Sequence, residues 1–270
     1  MIHVRAPATT ANLGPGFDCA GAALDLWNEL ELSEDGGETD SGHLAVRAFA
    51  RLASPEGFGF SFTERIPRAR GLGSSAATIA LGLVAGAVAV GRATDSEELL
   101  ALGLDLEGHP DNLAAALAGG VCLTWEGHVV RIADDAPGVP IAIVPREQVE
   151  TKAARAALPE TIAHRDAAFT VARAAMLGAA VASGSADLFA AAADDRLHEP
   201  YRAAHAPVLA AVRELLPDGA LAATLSGSGP TVIVWARREA AAACVAELTE
   251  RFPETDVLHL SISPTGAGQL

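Results

Sequence analysis

Residues 74–90 carry Ala, Ile, Leu, Val and Gly around every side of a 3.6-residue period and hold no charge. A helix apolar on nearly all faces cannot lie on a surface, so this one must be central and buried. It is entered through Pro67-Arg-Ala-Arg70-Gly71-Leu72-Gly73-Ser74-Ser75. Glycines let the backbone turn tightly and approach a ligand, Ser74 and Ser75 can cap, and the unpaired N–H groups at the positive end of the helix dipole favour an anion. The turn reads either as a phosphate loop or as a tightly packed structural bend feeding the core helix.

Other phosphate motifs fit less well. No Lys follows the glycines, as a P-loop requires. Gly71-x-Gly73-x-x-Ala76 satisfies the loose dinucleotide fingerprint, which needs a strand before it and an acidic strand end about 20 residues on. Asp95, Glu97 and Glu98 lie near that distance but read as the start of another helix.

With 270 residues, half of them hydrophobic, the chain can form one large or two small domains with real cores. No uncharged apolar run has membrane-span boundaries, and Met1 leads directly into Ile2-His-Val without a charged-then-apolar leader. The expectation is a soluble, cytoplasmic protein with no membrane partner. A net charge of −15 also argues against nucleic acid as partner, so an anionic substrate needs local arginines and helix termini to hold it. Cys19, Cys122 and Cys244 form no CxxC pair, which argues against a zinc site or a disulfide framework.

Periodicity predicts strands at 2–6 and 24–32 around a turn-rich segment 7–21, followed by an acidic loop at 34–42. A helix at 43–52, a strand at 58–63, the core helix, helices at 96–102 and 111–117, and a hairpin at 121–125 and 129–132 complete the first half. The Pro- and Asp-rich 134–140 marks a boundary, giving domains 1–136 and 137–270. Beyond it come a strand at 141–144, helices at 161–182, 186–194 and 205–215, strands at 220–225 and 231–235, a helix at 239–251 and a strand at 256–262. The fold class is α+β, and the second half reads as an antiparallel sheet with helices, ferredoxin-like.

Three segments, Pro7-Ala-Thr-Thr-Ala-Asn12-Leu-Gly14-Pro-Gly16-Phe-Asp18, the glycine-serine turn, and Leu225-Ser-Gly227-Ser-Gly229-Pro-Thr, resemble in order and separation the GHMP small-molecule kinases. Glu107-Gly-His109-Pro-Asp111-Asn112, Thr151-Lys-Ala-Ala-Arg155 and Asp195-Arg-Leu-His-Glu199-Pro-Tyr-Arg202 strengthen the resemblance, which is greatest toward the homoserine kinases of that family. It implies a ribosomal protein S5 domain 2-like N-terminal domain joined to a ferredoxin-like C-terminal domain, with ATP and Mg²⁺ in the cleft between them.

Carried over residue by residue, the resemblance implies a nucleotide set of Pro67, Arg70, Gly71, Leu72, Gly73, Ser74, Ser75, Ala76, Ala77 and Thr151. Ser75 and Glu107 would be the metal ligands. For an amino-acid substrate such as L-homoserine, Asp18 would accept from the ammonium, Asn12, His109 and Gly227 would add contacts, and Arg155 and Arg202 would clamp the carboxylate. Asn112 would position the hydroxyl, with Asp111 as candidate base or, alternatively, a buried helix cap. The chain departs from many members at Ala101, where they carry the Glu, at Ala222, where Gly is common, and at His43 on the adenine side. Two alternatives remain at this level: a GHMP kinase for another small hydroxylated acid, or an inactive ligand-binding homologue. The apolar helices of the second half could supply a homodimer interface.

Overall fold

The computed structural model describes residues 1–34, 36 and 40–270, so part of the acidic loop 34–42, namely Asp35, Gly37, Glu38 and Thr39, lies outside the described residues. Two long strands open the chain, β1 (Ile2–Asn12) and β2 (Gly16–Ser33), paired antiparallel from Ile2↔Leu32 to Asn12↔Gly16. The segment 7–21 is therefore mostly strand rather than turn. The reversal is confined to a few residues, with Asn12, Leu13 and Gly14 at positive φ of 70°, 47° and 83°. Gly21 misled the sequence reading because it serves a close approach and not a bend: a Cβ there would lie 2.5 Å from the Asp111 carbonyl oxygen.

Next come α1 (Leu44–Phe49), β3 (Gly59–Thr63), α2 (Ser74–Ala89), α3 (Ser96–Glu107), α4 (Pro110–Ala118) and the hairpin β4 (Val121–Trp125) and β5 (His128–Ala133). Twelve of the 16 residues of α2 are buried, against β1 and β2 on one side and α1, α3 and α4 on the others. Ile79, Leu81, Leu83 and Val84 are at most 1% exposed, and each contributes about 1.5–3 kcal/mol by leaving water. The core helix is thus the element around which the first half condenses. Helix α3 runs five residues past its expected end at 102, which places Glu107 on a helix terminus instead of a loop.

The second half contains β6 (Val139–Val144), α5 (Thr151–Ala156), α6 (His164–Ser183), α7 (Ala186–Ala192), α8 (Glu199–Arg202), α9 (Pro207–Glu214), β7 (Ala220–Leu225), β8 (Val232–Ala236), α10 (Ala241–Arg251) and β9 (Asp256–His259). Its sheet has the order β7-β8-β6-β9 with antiparallel neighbours, the ferredoxin-like arrangement. The first sheet has the order β10-β1-β2-β4-β5, with β3 also on β2, where β10 is Gly268–Gln269. Among the described residues the strand before α2, β3, pairs antiparallel with β2, so the dinucleotide fingerprint lacks its parallel β-α-β context.

Strand β9 ends at His259, short of the expected 262, because the chain there crosses to the first sheet. Ile262 bridges Leu24, Ser263 N–H donates to the Ala23 carbonyl at 2.9 Å, and Leu270 N–H donates to the His3 carbonyl at 2.9 Å. We propose 136/137 as the division between two units, with this tail returning across it. Among the described residues no helix is long and apolar enough to cross a membrane.

Candidate active site

A cleft of about 460 Å³ is lined from both halves of the chain. At one end lies the glycine-serine turn. Gly71 and Gly73 have φ of +82° and +64°, a left-handed conformation that favours glycine, and neither has room for a side chain. A Cβ on Gly71 would fall 2.3 Å from the Ser226 carbonyl oxygen, and one on Gly73 would fall 1.8 Å from Thr9 Oγ1. The loop is held between halves: Thr9 N–H donates to the Leu72 carbonyl at 3.1 Å, and Ser226 Oγ donates to the Gly71 carbonyl at 2.6 Å.

Neither serine caps α2. Its N-cap is Gly73, with no side-chain cap bond, so the first-turn N–H groups remain available to an anion. Ser74 lends only its carbonyl, to Thr78 Oγ1 at 2.8 Å, while Ser75 Oγ donates to Glu107 Oε1 at 3.0 Å. Burial pushes the Glu107 carboxyl up to about 8 despite that hydrogen bond, and Asp111 adds to the shift. Glu107 also ends α3, where a negative charge meets the negative end of the helix dipole. A cation beside this pair would relieve both penalties, so the two oxygens fit a metal. Mg²⁺ characteristically takes one or two protein ligands and completes its shell with phosphates and water, and among the described residues no larger carboxylate, His or Cys cluster exists.

Asn112 lines the cleft beside the glycine-serine turn. Thr9 Oγ1 donates to its Oδ1 at 2.7 Å, and the place where a Gly73 Cβ would stand is only 3.1 Å from the same oxygen. Asp111, 3% exposed, accepts from the Asn112 backbone N–H at 2.7 Å and from its Nδ2 at 3.2 Å. Burial pushes the Asp111 carboxyl up to about 6, which leaves it ionised at neutral pH and more basic than a free carboxylate. His109 is the N-cap residue of α4 but makes no side-chain cap bond, so its ring serves the cleft. Burial first, and then the Arg155 charge, lower its pKa and favour the neutral imidazole.

Also in the lining, Arg155 Nη2 meets Asp18 Oδ1 at 2.5 Å. Asp18 holds φ at +56°, and its N–H donates to Asn12 Oδ1 at 3.1 Å. Asn12 Nδ2 donates to the Gly227 carbonyl at 3.0 Å, so most of this amide is spent on holding Asp18 and the last glycine loop together. Arg202 is 2% exposed, and burial followed by repulsion from Arg155 lowers its pKa. The Nε–H groups of both arginines are buried without a hydrogen-bond partner, a donor set that calls for an anion.

The cleft brings together Asn12, Asp18, Arg70, Gly71, Gly73, Ser74, Ser75, Glu107, His109, Asp111, Asn112, Thr151, Arg155, Arg202 and Gly227. Pro67 does not line it, and Leu72, Ala76 and Ala77 turn their side chains into the core, leaving them only backbone contributions. His43, expected on the adenine side, lines the cleft with its ring stacked on Phe62 at 4.1 Å, and Leu44 lines it too. Glu64 and Arg68 join the lining with no sequence signal to mark them. Phe17 lies 5.5 Å from the Arg155 guanidinium carbon and 5.3 Å from that of Arg202. No local pattern in the sequence announces an aromatic between two arginines carried by distant helices.

Comparison with known proteins agrees with this geometry. Residues 43–120 match the GHMP kinases N terminal domain and residues 176–254 match the GHMP kinases C terminal domain. The homoserine kinase of Streptomyces coelicolor is 40% identical over 266 residues, covering 89% of this chain and 86% of that one. That of Moorella thermoacetica is 40% identical over 88% of each chain. The crystal structure of homoserine kinase from Cytophaga hutchinsonii superposes with a TM-score of 0.88 at 28% identity, over 100% of this chain and 97% of that one. Mevalonate kinase of Methanococcus jannaschii shares the fold at 12% identity, with a TM-score of 0.72 over 97% and 98% of the two chains. The chain belongs to the GHMP kinase family of ATP-dependent small-molecule kinases, on the branch of the homoserine kinases.

Proposed function

We propose that the protein transfers the γ-phosphoryl group of ATP, with Mg²⁺, to the side-chain hydroxyl of L-homoserine, giving O-phospho-L-homoserine in a cytoplasmic step of threonine biosynthesis. One observation carries the choice of acceptor: Asp18, Arg155 and Arg202 gather in the same cleft as the glycine-serine turn, with Asp18 against Arg155 and both charges acting on Arg202. One carboxylate and two guanidiniums match the ammonium and carboxylate of an α-amino acid, and would leave its side chain pointing at Asn112.

In this reading the N–H groups from Gly71 to Ala76 cradle the triphosphate, flanked by Arg70 and Thr151. Ser75 and Glu107 would hold Mg²⁺, which supplies neutralisation of phosphate charge when bound. Asn112 sets the acceptor oxygen against the phosphate loop, and His109 closes the side of the site. Phosphoryl transfer through a loose transition state demands little early proton removal, so positioning supplies most of the rate. In this reading Asp111 is the candidate to take the hydroxyl proton as it is released.

Coupled measurement of ADP release with L-homoserine, mevalonate and shikimate as acceptors tests the reading. Turnover with homoserine alone is the expected result. Turnover with either of the others and none with homoserine would refute it, as would nucleotide binding without any turnover.

A further inference from the structure

Behind the amino-acid end of the cleft lies a histidine that none of the steps above uses. His198 is 0% exposed, immediately before α8, and its backbone is fixed by Asp195. The Asp195 carboxylate accepts the N–H groups of Leu197, His198 and Glu199 at 2.9, 2.7 and 2.9 Å, and the Thr170 hydroxyl at 3.2 Å. The ring of His198 stacks on Phe17, with centroids 5.2 Å apart. Its Nε2 lies 2.8 Å from the Gly14 carbonyl oxygen, an atom that can only accept, so Nε2 carries the proton. Nδ1 is then a bare lone pair, and the Arg202 guanidinium donates to it from Nη1 at 3.0 Å. The same Nη1 also donates to the Gly227 carbonyl at 3.1 Å.

We infer that His198 is a positioning residue for the substrate carboxylate, locking the Arg202 guanidinium at a fixed place relative to the Gly14 turn that leads into Asp18. Both ring nitrogens are committed. Nε2 ties the first half of the chain and Nδ1 ties the arginine of the second, so one rigid ring spans the junction between the groups that read the two charges of the substrate. Burial lowers the imidazole pKa, against the opposite pull of the Asp195 carboxylate, and so favours the neutral ring whose Nδ1 the arginine needs as acceptor. With Nη1 occupied, the orphaned Nε–H of Arg202 is left as a donor for a carboxylate. A flexible arginine would lose this aim and cost entropy on binding.

This inference rests on the homoserine reading, and the test separates the two. His198→Asn can place Oδ1 where Nδ1 stands and keep the Arg202 contact, while His198→Gln can keep the Gly14 contact and lose the arginine; His198→Leu loses both. With homoserine and MgATP varied separately, Gln and Leu are expected to raise the homoserine KM about tenfold or more, Asn no more than about threefold, and none the ATP KM beyond about twofold. The preference for homoserine over its decarboxylated analogue 3-aminopropan-1-ol narrows in Gln and not in Asn, a ratio that a purely structural role would leave unchanged. Equal effects of Asn and Gln, an ATP KM rising in step, or an unchanged preference ratio in Gln overturns the assignment. The Asn and Gln pair decides the matter even if Leu fails to fold. A wild type inactive on homoserine brings down both readings; an active wild type with indifferent variants brings down only this one.

Discussion

At the proposed phosphate end of the cleft the groups offered to a ligand are backbone N–H donors on one continuous segment, Gly71 to Ala76, whereas at the proposed amino-acid end they are side-chain charges, an accepting carboxylate on β2 and donating guanidiniums on α5 and α8. The first end depends on φ angles and close packing, the second on ion pairs and a buried hydrogen-bond network. A triphosphate is recognised by many weakly directional donors, which a helix terminus supplies ready made. A zwitterion needs two opposite charges at a set spacing, and no single element can present both. The difference teaches that nucleotide affinity and acceptor specificity in this fold can be altered separately.

Glu107 is the exception at the phosphate end, a side chain proposed as a metal ligand, and it gives the largest expected effect. Glu107→Gln should lower kcat by about 10²- to 10³-fold through loss of the metal carboxylate. The same variant should be more stable than the wild type at pH 8. The folded-state pKa, about 8, lies above the ordinary 4.5, so the folded protein holds an extra proton between these values and its stability falls as pH rises through that window. Removing the charge should raise the melting temperature at pH 8 by about 2–4 °C, the shift roughly 1 kcal/mol produces in a chain of this size, and should flatten the slope. A melting temperature that drops would break the assignment of Glu107 as a strained ligand.

At the opposite end, Arg202→Lys should raise the homoserine KM about 10- to 100-fold while the ATP KM stays within about twofold, because an ammonium cannot reproduce the planar donor fork. A parallel rise in both constants would erase the distinction between the two ends.

Asp111 lies between them and has an intermediate effect. Its carboxyl titrates near 6, so kcat/KM for homoserine should fall as pH drops below about 6 and the base is protonated. Asp111→Asn should lose this acid limb and about tenfold in rate. An unchanged limb in the variant would return Asp111 to a structural role at the start of α4. The smallest effect belongs to the rim: Arg68 pairs with Glu64 through Nε at 2.9 Å, and Arg68→Ala should change the ATP KM by less than about threefold because so exposed a pair is worth about 0–1 kcal/mol.

The same contrast sets what could be read from sequence. The phosphate end was legible because everything it needs, two glycines, two serines and an all-apolar helix, is contiguous. The core helix was legible for the same reason: burial on every face writes itself into composition. The amino-acid end is assembled from residues 12–18, 109–112, 155, 202 and 227, and only the family resemblance brought these together. Phe17, His198 and Asp195 carry no local signal, since their roles exist only through contacts with distant segments. The strands at 2–12 and 16–33 were read too short because Pro7, Asn12, Gly14, Gly16 and Gly21 are ordinarily turn residues. Here, however, the pairing of the two strands shifts register after Pro7, the reversal is confined to the residues around 12–14, and Gly21 serves a close approach.

The central claim is that one cleft reads phosphate with backbone and a zwitterion with opposed charges. The most direct measurement is kcat/KM at saturating MgATP for L-homoserine beside 3-aminopropan-1-ol, which lacks the carboxylate, and 4-hydroxybutanoate, which lacks the ammonium. The geometry of Asp18, Arg155 and Arg202 predicts homoserine to exceed each analogue by at least about 100-fold, since either deletion leaves a charged group of the cleft unpaired. Values for either analogue within about threefold of homoserine would contradict it.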